Sequence, residues 1–169
     1  MALASTIIHI PANADKALLE GAFDSYGKLG QLHYADLHFT LPLPPSLNNQ
    51  YVTRIVKVRD KGGHVRLVAK RFASSDLRRF KAAVPEVLHY EYRIEPHAHP
   101  WPEASHIVYQ ALVIVPTKRS DLLNRLKAAE DAFATYLGFD DQVVVEVHTR
   151  KLWGKGYGPP RIIFHMYIK

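Results

Sequence analysis

A mostly apolar run, HIVYQALVIV at residues 106–115, is followed after a short polar link by a helical pattern at residues 120–137. The run is apolar on both faces toward its end, as in a strand that lies inside a sheet. The pattern after it repeats apolar residues every three or four positions, so one face of that helix must cover the sheet. Ser120 is a residue type that caps helix N-termini, and we expect it to do so here. The two elements together predict a central strand with a helix packed on it.

Alternating apolar and polar residues predict the other strands. Two such runs flank Gly62 and Gly63 and predict a β-hairpin over residues 53–72. Further strands are predicted at residues 5–10, 37–41, 142–152 and 161–168.

Two more helices are predicted, one from Asp15 to about Tyr26 and one that begins at Ser74 or Ser75 and ends near Pro85. This order of elements predicts the α+β class, with a mixed or antiparallel sheet and helices packed on one face. The length of 169 residues fits one domain. We assign residues 1–36 to an N-terminal extension and residues 37–169 to the domain.

Composition limits the location and the metal chemistry. The chain has no cysteine, which excludes disulfides and thiolate metal sites and is typical of cytoplasmic proteins. No apolar run approaches the roughly 20 residues that span a bilayer, and the first residues lack a signal-peptide pattern. We therefore expect no membrane association. Any metal must be held by carboxylates, histidines or carbonyls, and carboxylates favour Mg²⁺ or Mn²⁺.

The basic residues are concentrated in one segment. Residues 52–81 hold ten Lys or Arg against Asp60 and Asp76, a net charge of +8, whereas the whole chain carries +6. Such polarisation is typical of proteins that bind the phosphate backbone of nucleic acids. A basic hairpin without a partner and a surface for an acidic protein are the alternatives. The expected DNA contacts are Arg54, Lys57, Arg59, Arg66, Lys70 and Arg71, and, outside this segment, Lys118.

The polar residues of the 120–137 helix share one side. At 100° per residue they fall within a sector of about 120°, opposite the apolar side; they are Asp121, Asn124, Lys127 and Asp131. The pair Asp140–Asp141 begins the next strand and could return a carboxylate to the same place. Carboxylates from two elements beside a Lys suit Mg²⁺-assisted phosphodiester hydrolysis. The alternative is a solvated helix face with an ordinary Lys–Asp ion pair.

Three motifs, in this order, resemble those of the RusA family of Holliday-junction resolvases, which are dimeric endonucleases often carried by phages and prophages. They are LPLPPSLNN at 41–49, RSDLLNRLKAAEDAF at 119–133 and LGFDD at 137–141. The resemblance implies a RusA-like fold, a homodimer and four-way junction DNA as the substrate. It also implies metal binding by Asp121 and Asp141, catalysis by these two residues and Lys127, and supporting roles for Asn124 and Arg119. To these we add Asp140 as a further metal ligand and Asp131 as a further supporting residue.

The chain departs from the family at Leu123, where many members have a second Asp. We expect Leu123 to lie at the border of the helix's core face, and Asp140 or Asp131 to supply the missing oxygen. If neither does, the same fold would bind junctions without cutting them.

Two further groups of residues are candidates for binding. His97 and His99 could share a metal ion if their segment is extended, although an exposed loop is the commoner role of such a pair. Four aromatic residues could stack on unpaired bases or belong to the core and its rim; they are Tyr51, Trp101, Trp153 and Tyr157.

Overall fold

The computed structural model describes residues 12–23, 36–97 and 100–169. The strands are β1 (Asp36–Pro42), β2 (Tyr51–Arg59), β3 (Val65–Ala73), β4 (Ile107–Val115), β5 (Val144–Trp153) and β6 (Arg161–Ile168). The helices are α1 (Ala12–Phe23), α2 (Leu47–Gln50), α3 (Ser75–Glu86) and α4 (Leu123–Leu137). A π-helical turn covers Val87–Glu91, and short 3₁₀ turns cover Trp101–Glu103, Asp141–Val143 and Lys155–Tyr157. The strand expected at residues 5–10 lies outside the described residues.

Four strands form the main sheet in the order β1–β6–β4–β5. β6 is antiparallel to both β1 and β4, whereas β4 and β5 are parallel. All nine residues of β4 are buried, because this strand has neighbours on both sides and covered faces. The predicted α+β class, the mixed sheet and the central position of the 106–115 strand are confirmed.

Helices α3 and α4 cover one face of this sheet. The core between them contains Phe133 of α4, whose ring centroid lies 5.0 Å from that of Phe164 on β6 and 6.0 Å from that of Tyr109 on β4. α3 contributes Leu77, Phe80 and Val84. Edge-to-face aromatic pairs of this kind contribute about 0.5–1.5 kcal/mol each beyond the burial of their surface. The apolar side that the sequence assigned to the 120–137 helix is therefore the side that faces the sheet.

Helix α1 lies on the opposite face, where Leu19 and Phe23 pack against residues of β4 and β6. Its Asp15 forms a buried ion pair with Arg161 of β6, with an Nη2–Oδ1 distance of 2.7 Å, and accepts a hydrogen bond of 2.8 Å from the Thr40 hydroxyl. The arrangement with helices on one face thus holds for α3 and α4, and α1 adds a helix to the other face. The position of α1 is fixed by Leu19 and Phe23, which are four residues apart, and by the ion pair between Asp15 and the buried Arg161 guanidinium.

Helix α3 begins where it was predicted, and helical structure runs on beyond the predicted end near Pro85. The Ser74 hydroxyl caps α3 and accepts the Leu77 N–H at 3.1 Å, as expected. α3 continues past Pro85 to Glu86 and then into the π-helical turn. A proline inside a helix costs about 3 kcal/mol, and the complete burial of Val84 and Leu88 on either side offsets that cost.

The beginning of α4 also differs, because Ser120 does not cap it. The Ser120 hydroxyl lies 3.2 Å from that of Thr117, and the helix begins only at Leu123. The Asp121 carboxylate instead accepts the Asn124 N–H at 3.2 Å. An anion is favoured at this position, because the helix dipole is positive at the N-terminus.

In the described residues, no helix is both long and apolar enough to cross a membrane.

We predict that Asp15→Ala lowers the free energy of unfolding by about 3–5 kcal/mol, because it leaves the buried Arg161 guanidinium without its partner. Urea denaturation followed by circular dichroism measures this change. Lys16→Ala is the matched control on the same helix, since its pair with Glu20 spans 4.0 Å and is exposed. The control should change stability by less than about 1 kcal/mol. Equal effects of the two variants would contradict a special role for the buried pair.

Candidate active site

Lys127 lies at the centre of an ion-pair cluster on the outer side of α4. Its ammonium contacts Glu130 at 3.2 Å and Asp131 at 3.1 Å on the same helix. It also donates a hydrogen bond to Asp141, which the 3₁₀ turn after α4 brings back to the helix. The structure therefore places Lys127, Asp131 and Asp141 together, and we call them, with Glu130, the Lys127 cluster.

Glu130 connects this cluster to the core of the sheet. One of its carboxylate oxygens contacts Lys127, and the other accepts a hydrogen bond from the Tyr109 hydroxyl of β4. Burial, followed by the contact with Glu130, raises the pKa of Tyr109, so that its hydroxyl stays protonated and acts as a donor. Sequence reasoning missed Glu130 and Tyr109. The spacing of three between Lys127 and Glu130 was the available signal, whereas the tyrosine partner is set by tertiary packing.

The contacts in the cluster favour the charged forms of Lys127 and Asp141. The hydrogen bond to Asp141 is the main cause that raises the pKa of Lys127, and Asp131 and Glu130 add to it. The same bond to Lys127 is the main cause that lowers the pKa of Asp141. One ammonium is thus surrounded by three carboxylates, which leaves the cluster with a net charge of about −2 at neutral pH.

Asp121 has different partners. Its carboxylate accepts hydrogen bonds from the backbone N–H and the side-chain amide of Asn124. The side-chain amide is the main cause that lowers the pKa of Asp121, and the Arg125 guanidinium contributes less. The side chain stands at the solvent-exposed start of α4 as an anion. Asp140 is also exposed, and its carboxylate accepts the Gln142 N–H at 3.0 Å and so caps the turn that carries Asp141.

The chemistry of these donors fits a hard cation, because Mg²⁺ prefers carboxylate oxygens. Within residues 12–23, 36–97 and 100–169, no three His, Asp or Glu side chains are grouped as a metal site requires. Asp121 and Asp141 are each engaged by a donor of the protein, Asn124 and Lys127 respectively. Mg²⁺ is commonly bound by one or two carboxylates, with water and substrate phosphates as its other ligands. These residues fit that kind of site and do not form a closed protein cage.

Leu123 lies next to this site and points into solvent, with 69% of its surface exposed. The expected position at the border of the core face is wrong. Leu123 is the first residue of α4, where the helix has begun but its neighbours do not yet cover it. The position is therefore free to hold a polar residue, and an apolar one there has no packing role.

The LPLPPSLNN motif supports the start of α4. The Gln50 side chain, which follows the motif directly, donates to the carbonyl of Pro45 at 3.0 Å and to that of Asn124 at 3.2 Å. The Arg125 guanidinium donates to the Pro44 carbonyl. The prolines lack N–H groups and keep the chain extended, which leaves their carbonyls available to these side chains. The motif thus positions the turn that carries Asp121 and Asn124.

The predicted basic hairpin is formed by β2 and β3, which pair with each other in a separate two-stranded sheet. Nearly every residue in both strands is exposed. Cross-strand partners share a face, so the register divides the six expected DNA contacts equally between two faces. Arg54, Arg66 and Lys70 lie on one face, and Lys57, Arg59 and Arg71 lie on the other. A two-stranded ribbon with cations on both faces suits a groove with two phosphate walls.

The other expected contacts lie elsewhere. Lys118 and Arg119 are exposed on the link between β4 and α4, and the Lys118 ammonium lies 5.5 Å from the centre of the Trp153 ring. Trp101 is a core residue. His97 lies in the connection before β4, and its backbone N–H donates to the carbonyl of Tyr136, near the end of α4, at 3.0 Å. His99 lies outside the described residues.

No family model matches the chain, and no curated protein is matched to it. One solved structure with some likeness is a protein of unknown function of the conserved Rid protein family, YyfB from Yersinia pestis. It is 14% identical, the match covers 82% of each chain, and the TM-score is 0.31. A likeness at that level carries no argument about the fold or the activity.

We predict that Lys127→Met raises the pKa of Asp141 toward the usual carboxyl value, because the hydrogen bond that holds it low is removed. NMR titration of the Asp141 carboxyl carbon measures this change. A lowered folded-state pKa stabilises the protein above the unfolded-state value, which is about 4 for Asp, and this contribution is lost as pH falls through the folded-state pKa. The variant should therefore be less stable than the parent above about pH 4 and approach it in acid. Lys16→Met is the control, and an unchanged Asp141 titration would contradict the pairing.

Proposed function

We propose that the chain is a structure-selective endodeoxyribonuclease that resolves Holliday junctions or other branched DNA by Mg²⁺-dependent phosphodiester hydrolysis, in DNA recombination and repair. The observation that carries the proposal is the exposed Lys127–Asp141 pair, which follows Asp121 in an order of motifs that resembles the RusA family. The basic hairpin supports it, because it supplies the positive surface that branched DNA requires.

The charge of the Lys127 cluster supports a role for a cation. Three carboxylates around one ammonium repel a phosphate, and a divalent cation would reverse that repulsion. Asp121, Asp140 and Asp141 are the residues that would hold Mg²⁺ or Mn²⁺. When bound, the ion would polarise a phosphoryl oxygen and lower the pKa of a water molecule.

The protein's own groups would do the rest. Lys127, always protonated at neutral pH, would donate to the non-bridging oxygens of the scissile phosphate and stabilise the charge that develops there. Tyr109 and Glu130 would hold the ammonium in place from the sheet side. Asn124 would fix the orientation of the Asp121 carboxylate. Asp131 would add a negative charge and Arg119 a positive charge near the site.

We further propose that the protein works as a homodimer in the cytoplasm and has a phage or prophage origin. A two-fold axis would present two equal sites to two opposed strands of a four-way junction. Both the DNA partner and the dimer are inferred from the resemblance.

A second candidate function is junction binding without cleavage. The observation that favours it is Leu123, which is exposed beside Asp121 at the place where the RusA family has a further carboxylate. One fewer carboxylate would weaken metal binding, whereas the hairpin would bind DNA as before.

We predict that both faces of the hairpin contribute to binding of a four-way junction. Each cation that neutralises a phosphate adds about 0.9 to the slope of log K against log salt concentration. The triple variants Arg54→Ala/Arg66→Ala/Lys70→Ala and Lys57→Ala/Arg59→Ala/Arg71→Ala should therefore each lower the slope by about 3. Fluorescence anisotropy of a labelled junction over a range of NaCl concentrations measures it. If only one triple variant changes the slope, the hairpin lies flat on DNA and does not enter a groove.

We predict that the parent protein cuts a synthetic four-way junction with Mg²⁺ or Mn²⁺ and that Asp121→Asn and Lys127→Met lower the rate by at least about 100-fold. Junction binding should be retained in both variants. Gel analysis of end-labelled junctions measures cleavage, with Lys16→Met as the control. A parent protein that binds tightly and does not cut would overturn the nuclease proposal and leave the second candidate. In that case Leu123→Asp, a change at an exposed position, should restore cleavage if the missing carboxylate is the cause.

A further inference from the structure

Two exposed aromatic residues and several cations lie together at the end of β5, outside both the Lys127 cluster and the hairpin. Trp153 is the last residue of β5 and pairs in register with Val115, the last residue of β4. The two chains leave the sheet at the same end, so the 116–120 link passes beside Trp153. The Lys118 ammonium lies 5.5 Å from the centre of the Trp153 ring. We define the β5-end surface by two aromatic residues and four cations: Trp153, Tyr157, Lys118, Arg119, Lys151 and Lys155.

The two chain segments that form this surface carry cations and no acids, although Asp121 follows one of them directly. Residues 104–120 and 147–160 contain no Asp or Glu, and their cations at this end of the sheet are Lys118, Arg119, Lys151 and Lys155. The Lys151 ammonium donates to the carbonyls of Lys118 at 3.0 Å and of Ser120 at 3.2 Å. Lys151 therefore ties the 116–120 link to β5 and keeps Lys118 near the indole ring.

The loop that carries Tyr157 is also held in place. The Arg161 guanidinium donates to the carbonyls of Tyr157 at 2.8 Å and of Pro159 at 2.9 Å. Arg161 is itself fixed by its buried ion pair with Asp15. Gly154 and Gly158 adopt positive φ angles of 106° and 76°, which allow the tight turn on either side of Tyr157. These contacts hold the loop that carries Tyr157 in place. Binding of a ligand to Tyr157 would therefore cost little conformational entropy.

Exposed aromatic rings interleaved with cations match the chemistry of a single-stranded nucleic acid. Bases stack on aromatic rings, and the phosphates between them contact lysine and arginine. Trp153 is 45% exposed and has the largest face for stacking. Duplex DNA offers only backbone and groove edges, and its bases are closed to such a ring.

We propose that the β5-end surface binds unpaired deoxynucleotides, with a base stacked on Trp153 and phosphates held by Lys118 and Lys155. The 116–120 link leads directly to Asp121, so an unpaired strand bound here would lie next to the candidate active site. The inference deepens the proposed function, because it gives the nuclease a preference for branched DNA with unpaired nucleotides at the branch point. Its binding step does not depend on cleavage.

Intrinsic fluorescence tests the proposal directly. The chain has two tryptophans; Trp101 is buried, with 3% of its surface exposed, and Trp153 is exposed. Titration of the full chain with a single-stranded (dT)₁₆ oligonucleotide, without added metal, should quench the Trp153 emission to saturation. Trp153→Phe should lose the quenching signal and still bind labelled (dT)₁₆ within about threefold of the parent, as measured by anisotropy, since Phe also stacks.

Trp153→Ala should weaken binding of (dT)₁₆ by about 5- to 150-fold, the range that loss of one base–aromatic stack implies. Lys118→Ala should lower the salt slope by about 0.7. Tyr90→Ala is the matched control, because Tyr90 is an exposed aromatic residue on the π-helical turn. Far-ultraviolet circular dichroism verifies that each variant is folded.

Three outcomes would overturn the inference: no quenching by (dT)₁₆, equal effects of Trp153→Ala and Tyr90→Ala, or equal quenching by a poly-glutamate peptide. The last result would assign the surface to acidic proteins. A protein that binds (dT)₁₆ through Trp153 and cuts no junction keeps this inference and loses the nuclease proposal. A protein that cuts a fully paired junction without binding (dT)₁₆ keeps the nuclease proposal and loses this inference.

Discussion

The packing of Phe133 against Phe164 and Tyr109 fixes how α4 is rotated on the sheet, and the candidate active site depends on that rotation. Because one side of α4 packs against the core, Lys127, which lies on the other side, faces outward. Tyr109 then takes part twice, since its ring packs on Phe133 and its hydroxyl holds Glu130. Glu130, one of the side chains that position the Lys127 ammonium, is thus anchored in the most buried part of the protein.

The charges of the protein are separated into regions of opposite sign. The Lys127 cluster is negative, whereas the hairpin and the β5-end surface are positive. A polyanion would be attracted to the positive regions and repelled at the cluster unless a cation is present there. If the proposed function holds, this arrangement would separate binding from chemistry, because DNA would bind through the outer surfaces while the cluster would depend on a metal ion.

The local patterns of the sequence were sufficient for the main elements. β4, α4, the hairpin and the Ser74 cap follow from periodicity, turn residues and capping residues that act over a few positions. The contacts that complete the site and the fold span long distances in sequence, and no local pattern contains them. Asp15 and Arg161 are 146 positions apart, and a carboxylate in an amphipathic helix is usually a surface residue. Leu123 was misplaced because helical angles assume that the whole helix is covered, whereas its first residue is not.

The hairpin has features that lower its stability and that the rest of the fold does not explain. A two-stranded sheet exposed on both faces is marginally stable at best, and Arg54 lies directly opposite Lys70. Like charges in such a pair are destabilising. A phosphate between these two side chains would turn their repulsion into attraction, and groove walls would cover apolar residues such as Ile55 and Leu67, which are now exposed. The hairpin and bound DNA would therefore stabilise each other, since a ligand that binds only the folded form favours that form.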